Sequence, residues 1–301
     1  MDNFVVPLSD EFKNIYFIKG ASDGKYPFSH SFLISDYLID TGISSRLLRK
    51  LKRQFSINNV VLSHWHEDHT SGNRLLSTSK FLIHPNDKLL VENVDKFKEF
   101  YGITNSSAAE EEFDWLWESL KLANTKVEKT LTNNEIIKIG NDYKLKVIHT
   151  PGHTAGHCSF LELNSKIAFL ADIDLTNFVF YAGVDSNLID FEDSIDKLLD
   201  LDIEMVATGH RGIIEGRNKI KEDLFKYKSI IHKRDERILS QFLERKPMSV
   251  IDFKGKNFIY KYYSEFKNYE IIAEMIMIQK HFDKFIKNKL IQQEGKGFIL
   301  N

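Results

Sequence analysis

His64-Trp65-His66-Glu67-Asp68-His69, followed by Thr70-Ser71-Gly72, is the stretch around which this sequence is organised. It comes directly after Val60-Val61-Leu62, an apolar and β-branched run that predicts a buried strand. Such a strand delivers the following loop to a sheet edge, where side chains converge. Histidine nitrogen and aspartate oxygen are ligands that suit zinc, iron or manganese. The stretch therefore predicts a metal site rather than a polar loop of solvated histidines.

The length and composition of the chain are those of a globular protein without disulfide cross-links. With 301 residues, the chain can form one large α/β domain and a small appendage. The single cysteine, Cys158, excludes an internal disulfide and agrees with a reducing compartment. The N-terminus lacks the basic and apolar regions of a signal peptide, and no apolar run reaches the ~18 residues of a membrane span. We therefore expect a soluble, cytoplasmic protein with no membrane partner.

Charge is unevenly distributed along the chain, although the formal net charge is −2. Residues 217–301 contain 19 Lys and Arg against 11 Asp and Glu, whereas residues 1–216 contain 22 against 32. The positive residues of the C-terminal part are interspersed with acids and form no continuous block. This pattern favours a solvated lysine-rich face over a nucleic-acid-binding surface.

Short strands are predicted over residues 14–18, 32–34 and 37–40, followed by an amphipathic helix over 43–54. The third strand ends in Asp40-Thr41-Gly42. An aspartate at a strand end can accept backbone N–H bonds and brace a neighbouring loop. Asp40 is therefore predicted to support the site rather than to bind a metal directly. His84, at the end of the strand predicted over 81–84, is interpreted as structural.

Three further predicted strands end in side chains that could bind a metal. The strand over 144–149 leads into Thr150-Pro151-Gly152-His153, a tight loop that places His153 at the strand end. The apolar run Ile167–Leu170 leads into Asp172 and Asp174, one of which needs a cation because an unpaired buried carboxylate is costly. Met205–Thr208 is followed by Gly209-His210. His157 is expected to hydrogen-bond within its own loop.

Taken together, these ordered motifs resemble those of the metallo-β-lactamase-fold hydrolases over residues ~14–216. The resemblance implies an α/β fold, a four-layer αββα sandwich with a two-metal centre at one edge. It also implies a ligand set in which His64, His66 and His153 hold one ion, Asp68, His69 and His210 hold the other, and Asp172 bridges both. Ala171 stands where a glycine commonly precedes the bridging aspartate, but Asp172 is preferred over Asp174 because it immediately follows the apolar run.

The implied cofactor is a pair of divalent metal ions, expected to be Zn²⁺, with Fe or Mn as alternatives. Two such ions lower the pKa of a shared water toward neutrality, so that a bridging hydroxide can attack a substrate carbonyl. Asp68 is predicted to be both a ligand and the catalytic residue that orients the nucleophile or returns a proton to the leaving group. Glu67 is expected to point away from the centre.

The C-terminal residues predict a separate small domain. A charged helix or helix pair over 217–246, a helix over about 269–289 and a hairpin over 290–300 resemble the winged-helix appendage of the lactamase-β-like branch of this superfamily. The predicted division is therefore a catalytic domain over 1–216 and a winged-helix-like domain over 217–301. Some relatives on this branch cleave single-stranded RNA.

The sequence leaves several functions open. The first is hydrolysis of a small ester, thioester or lactone in an apolar pocket walled by Phe178-Val179-Phe180-Tyr181 and by the helix predicted over 109–123. The second is a metal-dependent single-stranded RNA endonuclease, whose affinity would fall steeply with salt. The third is an iron-dependent role like that of a persulfide dioxygenase, or a sensor role. A small molecule is the expected partner, and single-stranded RNA and a homodimer are alternatives.

Overall fold

The computed structural model describes residues 3–242 and 246–301, and within these ranges it has fifteen strands and eight α-helices. The strands are β1 (Val5–Pro7), β2 (Ile15–Ile18), β3 (Ser31–Ile34), β4 (Tyr37–Ile39), β5 (Asn59–Val61), β6 (Lys80–Ile83), β7 (Lys129–Thr130), β8 (Ile136–Ile139), β9 (Tyr143–His149), β10 (Cys158–Glu162), β11 (Ile167–Phe169), β12 (Met205–Ala207), β13 (Ile213–Glu215), β14 (Ile291–Glu294) and β15 (Gly297–Leu300). The helices are α1 (Ser45–Gln54), α2 (Glu67–Thr70), α3 (Pro85–Glu92), α4 (Phe97–Phe100), α5 (Ser107–Leu120), α6 (Leu188–Leu199), α7 (Arg217–Leu239) and α8 (Lys267–Lys287).

Two large sheets form the centre of the molecule. The first has the strand order β1-β2-β3-β4-β5-β6-β7, antiparallel from β1 to β4 and parallel from β4 to β7. The second has the order β13-β12-β11-β10-β9-β8, in which β11 and β12 are the parallel pair. Parallel neighbours need crossover connections, which the helices supply. As a result, β9, β11 and β12 all run toward the same edge of the second sheet.

Both faces of the first sheet are apolar. Successive side chains along a strand point alternately to one face and to the other. In β2, Ile15 and Phe17 belong to the apolar cluster between the sheets, whereas Tyr16 and Ile18 belong to the cluster on the outer side. The two sheets meet through rings such as Phe32 and Phe169, which stack with centroids 6.0 Å apart. Each sheet is therefore covered on both faces, and the expected four-layer αββα sandwich is confirmed.

The helices cover the outer faces of the two sheets. Leu48 and Leu51 of α1 lie in the same apolar cluster as Val60 of β5. On the other side, Phe191 of α6 and Leu224 of α7 belong to the cluster that includes the outer residues of the second sheet. No helix in the described part of the chain combines the length and the apolar composition needed to cross a lipid bilayer.

Asn187 caps the N-terminus of α6. Its Oδ1 accepts hydrogen bonds from the backbone N–H groups of Ile189 (3.0 Å) and Asp190 (3.2 Å). Asn187→Ala leaves both donors without this partner, and we expect the free energy of unfolding to fall by about 1 kcal/mol. Urea unfolding measures the change, and Asn187→Asp is the matched control because aspartate also caps. Equal stability of the alanine and wild-type proteins would contradict this role.

The first C-terminal helix is shorter than predicted, and the second is displaced by two residues. The helix predicted over 217–246 ends at Leu239, and beyond it Phe242 packs on Phe282 with ring centroids 5.5 Å apart. Residues 243–245 of that prediction lie outside the described residues. The second helix is found at Lys267–Lys287, and the hairpin is confirmed by the pairing of β14 with β15.

Residues on both sides of position 216 contribute to one apolar core. Ile220 and Leu224 of α7 and Met277 of α8 belong to the same cluster as the outer faces of the two sheets. A second, smaller cluster joins the C-terminal half of α8 to the hairpin through Phe285 and Ile291. The predicted domain boundary at 216 and the winged-helix character of residues 217–301 stay predictions.

Candidate metal centre

Four loops bring the candidate ligands to one edge of the sandwich. His64 and His66 follow β5, and the short helix α2 carries Asp68 and His69. The other candidates are His153 after β9, Asp172 after β11 and His210 after β12. A backbone hydrogen bond from Cys158 N to Ser63 O (2.9 Å) joins the loop of the first sheet to the second. The strand ends of two different sheets therefore share one site.

His64, His66 and His153 form the first set of candidate ligands. His153 Nε2 lies 3.2 Å from His64 Nε2 and 2.9 Å from His66 Nδ1, and His64 Nε2 lies 3.1 Å from His66 Nδ1. Asp172 Oδ2 completes the group at 3.2 Å from His153 Nε2. One ligand atom from each of these four residues lies within 4.8 Å of every other, as one ion requires.

Asp68, His69 and His210 form the second set. Asp68 Oδ2 lies 3.3 Å from His210 Nε2 and 3.7 Å from His69 Nε2. Asp172 Oδ1 lies 2.9 Å from His69 Nε2 and 3.4 Å from His210 Nε2. The two oxygens of the Asp172 carboxylate therefore face different sets. This is the position in which one carboxylate can bridge two cations.

Burial keeps two of the candidate histidines neutral, while two buried polar atoms beside them lack a hydrogen-bond partner among the described residues. Burial lowers the pKa of His64 and His66 well below the usual range, so their rings are neutral and present lone pairs. Burial acts in the same direction on His69, but the neighbouring carboxylates, led by Asp172, outweigh it and raise its pKa. His69 Nε2 and Asp172 Oδ1 are buried 2.9 Å apart, and neither has a hydrogen-bond partner in the part of the chain that the structure describes. A bound cation would satisfy these atoms, so the residues fit the metal pair that the motifs imply.

The second ring nitrogen of several candidate histidines is held by a hydrogen bond. His153 Nδ1 donates to Phe180 O (2.9 Å), and His210 Nδ1 donates to Gly24 O (2.6 Å). These bonds fix the tautomer in which Nε2 carries the lone pair, and they also fix the ring orientation. The imidazoles are therefore oriented before any metal binds.

Asp40 orients His69 from outside the candidate ligand set. Its Oδ2 accepts a hydrogen bond from His69 Nδ1 (2.7 Å) and another from Ser63 Oγ (2.7 Å), while Oδ1 accepts from Ser63 N (2.8 Å). Ser63 Oγ also lies 2.9 Å from His64 Nδ1. Asp40 thus connects one histidine of each set, which is the bracing arrangement expected from its position after β4.

Two other histidines noted in the sequence lie outside the candidate ligand set. His157 Nδ1 bonds to Thr150 Oγ1 (2.9 Å) within its loop, and its Nε2 accepts from the backbone N–H of Asp172 (3.2 Å). It therefore also positions Asp172. His84 stacks on His149 with ring centroids 3.9 Å apart, away from the cluster.

Glu67 lies within the histidine-rich stretch, but it interacts with two tyrosines instead of the cluster. Tyr26 and Tyr101 each donate a hydrogen bond of 2.5 Å to its carboxylate. Burial raises the pKa of Glu67 to about 7. Sequence reasoning missed these tyrosines, because they lie 41 and 34 residues from Glu67 and carry no local signal.

Glycines are needed where backbone segments approach the candidate ligands. A Cβ on Gly42 would lie 1.4 Å from the backbone oxygen of Asp68, and one on Gly209 would lie 2.8 Å from Asp172 Oδ1. Such distances exclude a side chain unless the site shifts. The glycines in Asp40-Thr41-Gly42 and Gly209-His210 were therefore a readable sign of close packing around the centre.

A cavity of about 550 Å³ opens beside the cluster, and half of its lining residues are Phe or Tyr. Its lining comprises Lys25, Tyr26, His66, Asp68, Tyr101, Phe113, Asp172, Asp174, Thr176, Phe178, Phe180, His210, Tyr227, Tyr260, Ser264, Phe266, Tyr269 and Glu270. Phe178 and Phe180 belong to the predicted wall, as does Phe113 of α5. Val179 and Tyr181 are fully buried instead. The C-terminal residues from Tyr260 to Glu270 were not foreseen as part of this wall.

Comparison with known sequences identifies similar proteins. A family described as the metallo-beta-lactamase superfamily matches residues 27–210. A beta-lactamase-like protein 2 homolog from Drosophila melanogaster is 27% identical over 193 residues, covering 63% of this chain and 56% of its own length. A hydroxyacylglutathione hydrolase from Chelativorans sp. (strain BNC1) is 26% identical over 136 residues, covering 45% of this chain and 41% of its own length. The chain therefore matches about half the length of these curated relatives.

Comparison with solved structures supports the same fold. A metallo-beta-lactamase family protein from Thermus thermophilus has a TM-score of 0.65 at 17% identity, covering 99% of this chain and 97% of its own. A beta-lactamase domain protein from Burkholderia ambifaria has a TM-score of 0.68 at 16% identity, covering 99% of this chain and 91% of its own. At this identity the similarity concerns the fold.

Proposed function

Because the chain belongs to the metallo-beta-lactamase superfamily, we propose that it is a metal-dependent hydrolase acting on an ester, thioester or lactone carbonyl of a small molecule. One observation carries the proposal: two adjacent sets of histidines and aspartates face a cavity of about 550 Å³ in which half of the lining residues are Phe or Tyr. A cavity of this size and character suits a small organic ligand.

The seven candidate ligands divide into two sites in this proposal. His64, His66 and His153 hold one ion, Asp68, His69 and His210 hold the other, and Asp172 contributes one oxygen to each. A bound pair of divalent ions, zinc in our proposal, would supply a water of lowered pKa and an electrophile for the substrate oxygen. Imidazole and carboxylate ligands without cysteine also accommodate iron or manganese.

Asp68 is the proposed catalytic residue of this chain. Its carboxylate faces the cavity and lies 3.3 Å from His210 Nε2. From this position it can hold a water in the direction of attack or return a proton to the departing group. The aromatic walls around it keep bulk water away from the substrate and strengthen these polar contacts.

The charges of the cavity favour carbonyl chemistry over cleavage of RNA. In the described part of the chain, the lining contains one lysine, Lys25, and no arginine. Four of the lining residues are acidic: Asp68, Asp172, Asp174 and Glu270. Bound metal ions would offset the charges of Asp68 and Asp172, but within the described residues the lining offers no row of cations along which a polynucleotide backbone could lie. The curated relatives include several hydroxyacylglutathione hydrolases, whose name also describes action on an acyl compound.

A hydrolysis panel combined with metal analysis tests the proposal. The substrates are p-nitrophenyl acetate, a lactone, a thioester, bis-p-nitrophenyl phosphate and a labelled single-stranded RNA. We expect two zinc ions per chain, turnover of one or more carbonyl substrates, loss of turnover in low-millimolar chelator and recovery after zinc is restored. Turnover of the RNA alone, abolished by the chelator, would replace this proposal with the endonuclease function.

A further inference from the structure

A second cavity adjoins the candidate metal centre on the side of α7. It has a volume of about 720 Å³, and its lining includes Arg211, Lys219, Asp223, Lys226 and Lys233. Thr176, His210 and Tyr227 also line the aromatic cavity. These three residues form the wall between the two spaces. His210 therefore borders both spaces.

This second cavity, the basic groove, differs from the aromatic cavity in its charge. Lys219, Lys226 and Lys233 recur every seven residues along α7, so they lie on one face of the helix at intervals of about 10 Å. Arg211 lies across from this row, and Asp223 is the acidic residue of the lining. The lining therefore has a net positive charge, which attracts anions to the edge of the candidate metal centre.

The ion pairs of the groove leave part of this charge available. Asp223 is shared between Lys219 (2.6 Å) and Arg211 (2.8 Å), which fixes both cations in the wall. Lys226 pairs with Glu222, a residue exposed to solvent, and such pairs exchange readily for another anion. Within residues 3–242 and 246–301, Lys233 has no hydrogen-bond or ion-pair partner. Lys226 and Lys233 are therefore the cations best placed to bind a ligand.

We propose that the basic groove binds a phosphate-bearing arm of the substrate. The substrate is then an acyl thioester or ester whose leaving group carries phosphate, an identity that rests on the hydrolase function proposed above. The acyl part occupies the aromatic cavity, the anionic arm lies along α7, and the scissile bond lies between them beside His210. A lysine ammonium group is a point charge on a flexible stem. It can therefore bind a phosphate group on a flexible arm without a fixed geometry.

Two thioesters that share an acyl group test this assignment. One is a coenzyme A thioester, and the other is the pantetheine thioester, which lacks the phosphates. The wild-type protein should prefer the coenzyme A thioester through a lower KM, and added salt should reduce that preference. In the double variant Lys226→Ala/Lys233→Ala, the ratio of the two kcat/KM values should fall roughly tenfold, mainly through KM. Lys221→Ala is the matched control, since Lys221 is exposed on the opposite side of α7.

Several outcomes separate this inference from the hydrolase proposal. Equal kcat/KM for the two thioesters in the wild-type protein would overturn the groove assignment and leave the hydrolase function standing. If neither thioester is cleaved, calorimetric binding of adenosine 3′,5′-bisphosphate still tests the groove, because this probe has no acyl bond. The assignment requires weaker binding to the double variant than to Lys221→Ala, and equal binding would overturn it. Cleavage of single-stranded RNA, weakened by the same double substitution, would assign the groove to a polynucleotide instead.

Discussion

Asp172→Asn is expected to lower kcat/KM by at least about 1,000-fold and to reduce the metal content of the protein. The reason is the position of this carboxylate, whose Oδ2 lies 3.2 Å from His153 Nε2 and whose Oδ1 lies 2.9 Å from His69 Nε2. An amide keeps the shape of the side chain but removes its charge and one of the two oxygens. Steady-state kinetics and metal analysis of the purified variant measure the effect.

Asp174→Asn is the matched control for this substitution. Asp174 is also a buried carboxyl beside the aromatic cavity, and it accepts a hydrogen bond from Thr176 N (3.0 Å). Burial raises its pKa to about 6, and it belongs to neither set of candidate ligands. We expect this variant to keep its metal and to lose far less activity. Loss of metal from Asp174→Asn, with retention by Asp172→Asn, would contradict the bridging assignment.

Asp40→Asn is expected to weaken metal affinity by about 10- to 100-fold. Asp40 has a positive φ of 61°, a conformation that asparagine adopts readily, so the substitution tests the side chain rather than the backbone. The amide no longer stabilises the donated proton of His69 Nδ1 as the carboxylate does. Competitive titration with a metal-binding dye measures the affinity of each ion.

The ion held by His69 should be affected more than the ion held by His64. Asp40 bonds directly to the ring of His69 (2.7 Å), whereas it reaches His64 through Ser63. Asp36→Asn serves as a control, because Asp36 lies in the same region of the first sheet and bonds to the side chains of Asn58 and Asn59. Unchanged metal affinity in Asp40→Asn would show that the ring of His69 is held by other contacts.

The sequence by itself determined the parts of the fold that depend on short-range pattern. The alternation of Ile15, Tyr16, Phe17 and Ile18 between two apolar clusters follows from the period of a strand, and it predicts a sheet covered on both faces. The candidate histidines were also visible, because each follows an apolar strand and carries its own chemistry. These features involve neighbours within a few residues, so no knowledge of packing was needed to find them.

Tertiary structure decided which distant groups meet. The order of residues already favoured Asp172 over Asp174, but only the packing of the two sheets brings its two oxygens close to His153 and His69. The same holds for the tyrosines that bind Glu67, which come from remote segments. The row of lysines on α7 is visible in the sequence, but its position beside His210 is not. Such contacts depend on how the layers of the sandwich pack on one another. The periodicity of apolar residues and the residue types do not determine that packing.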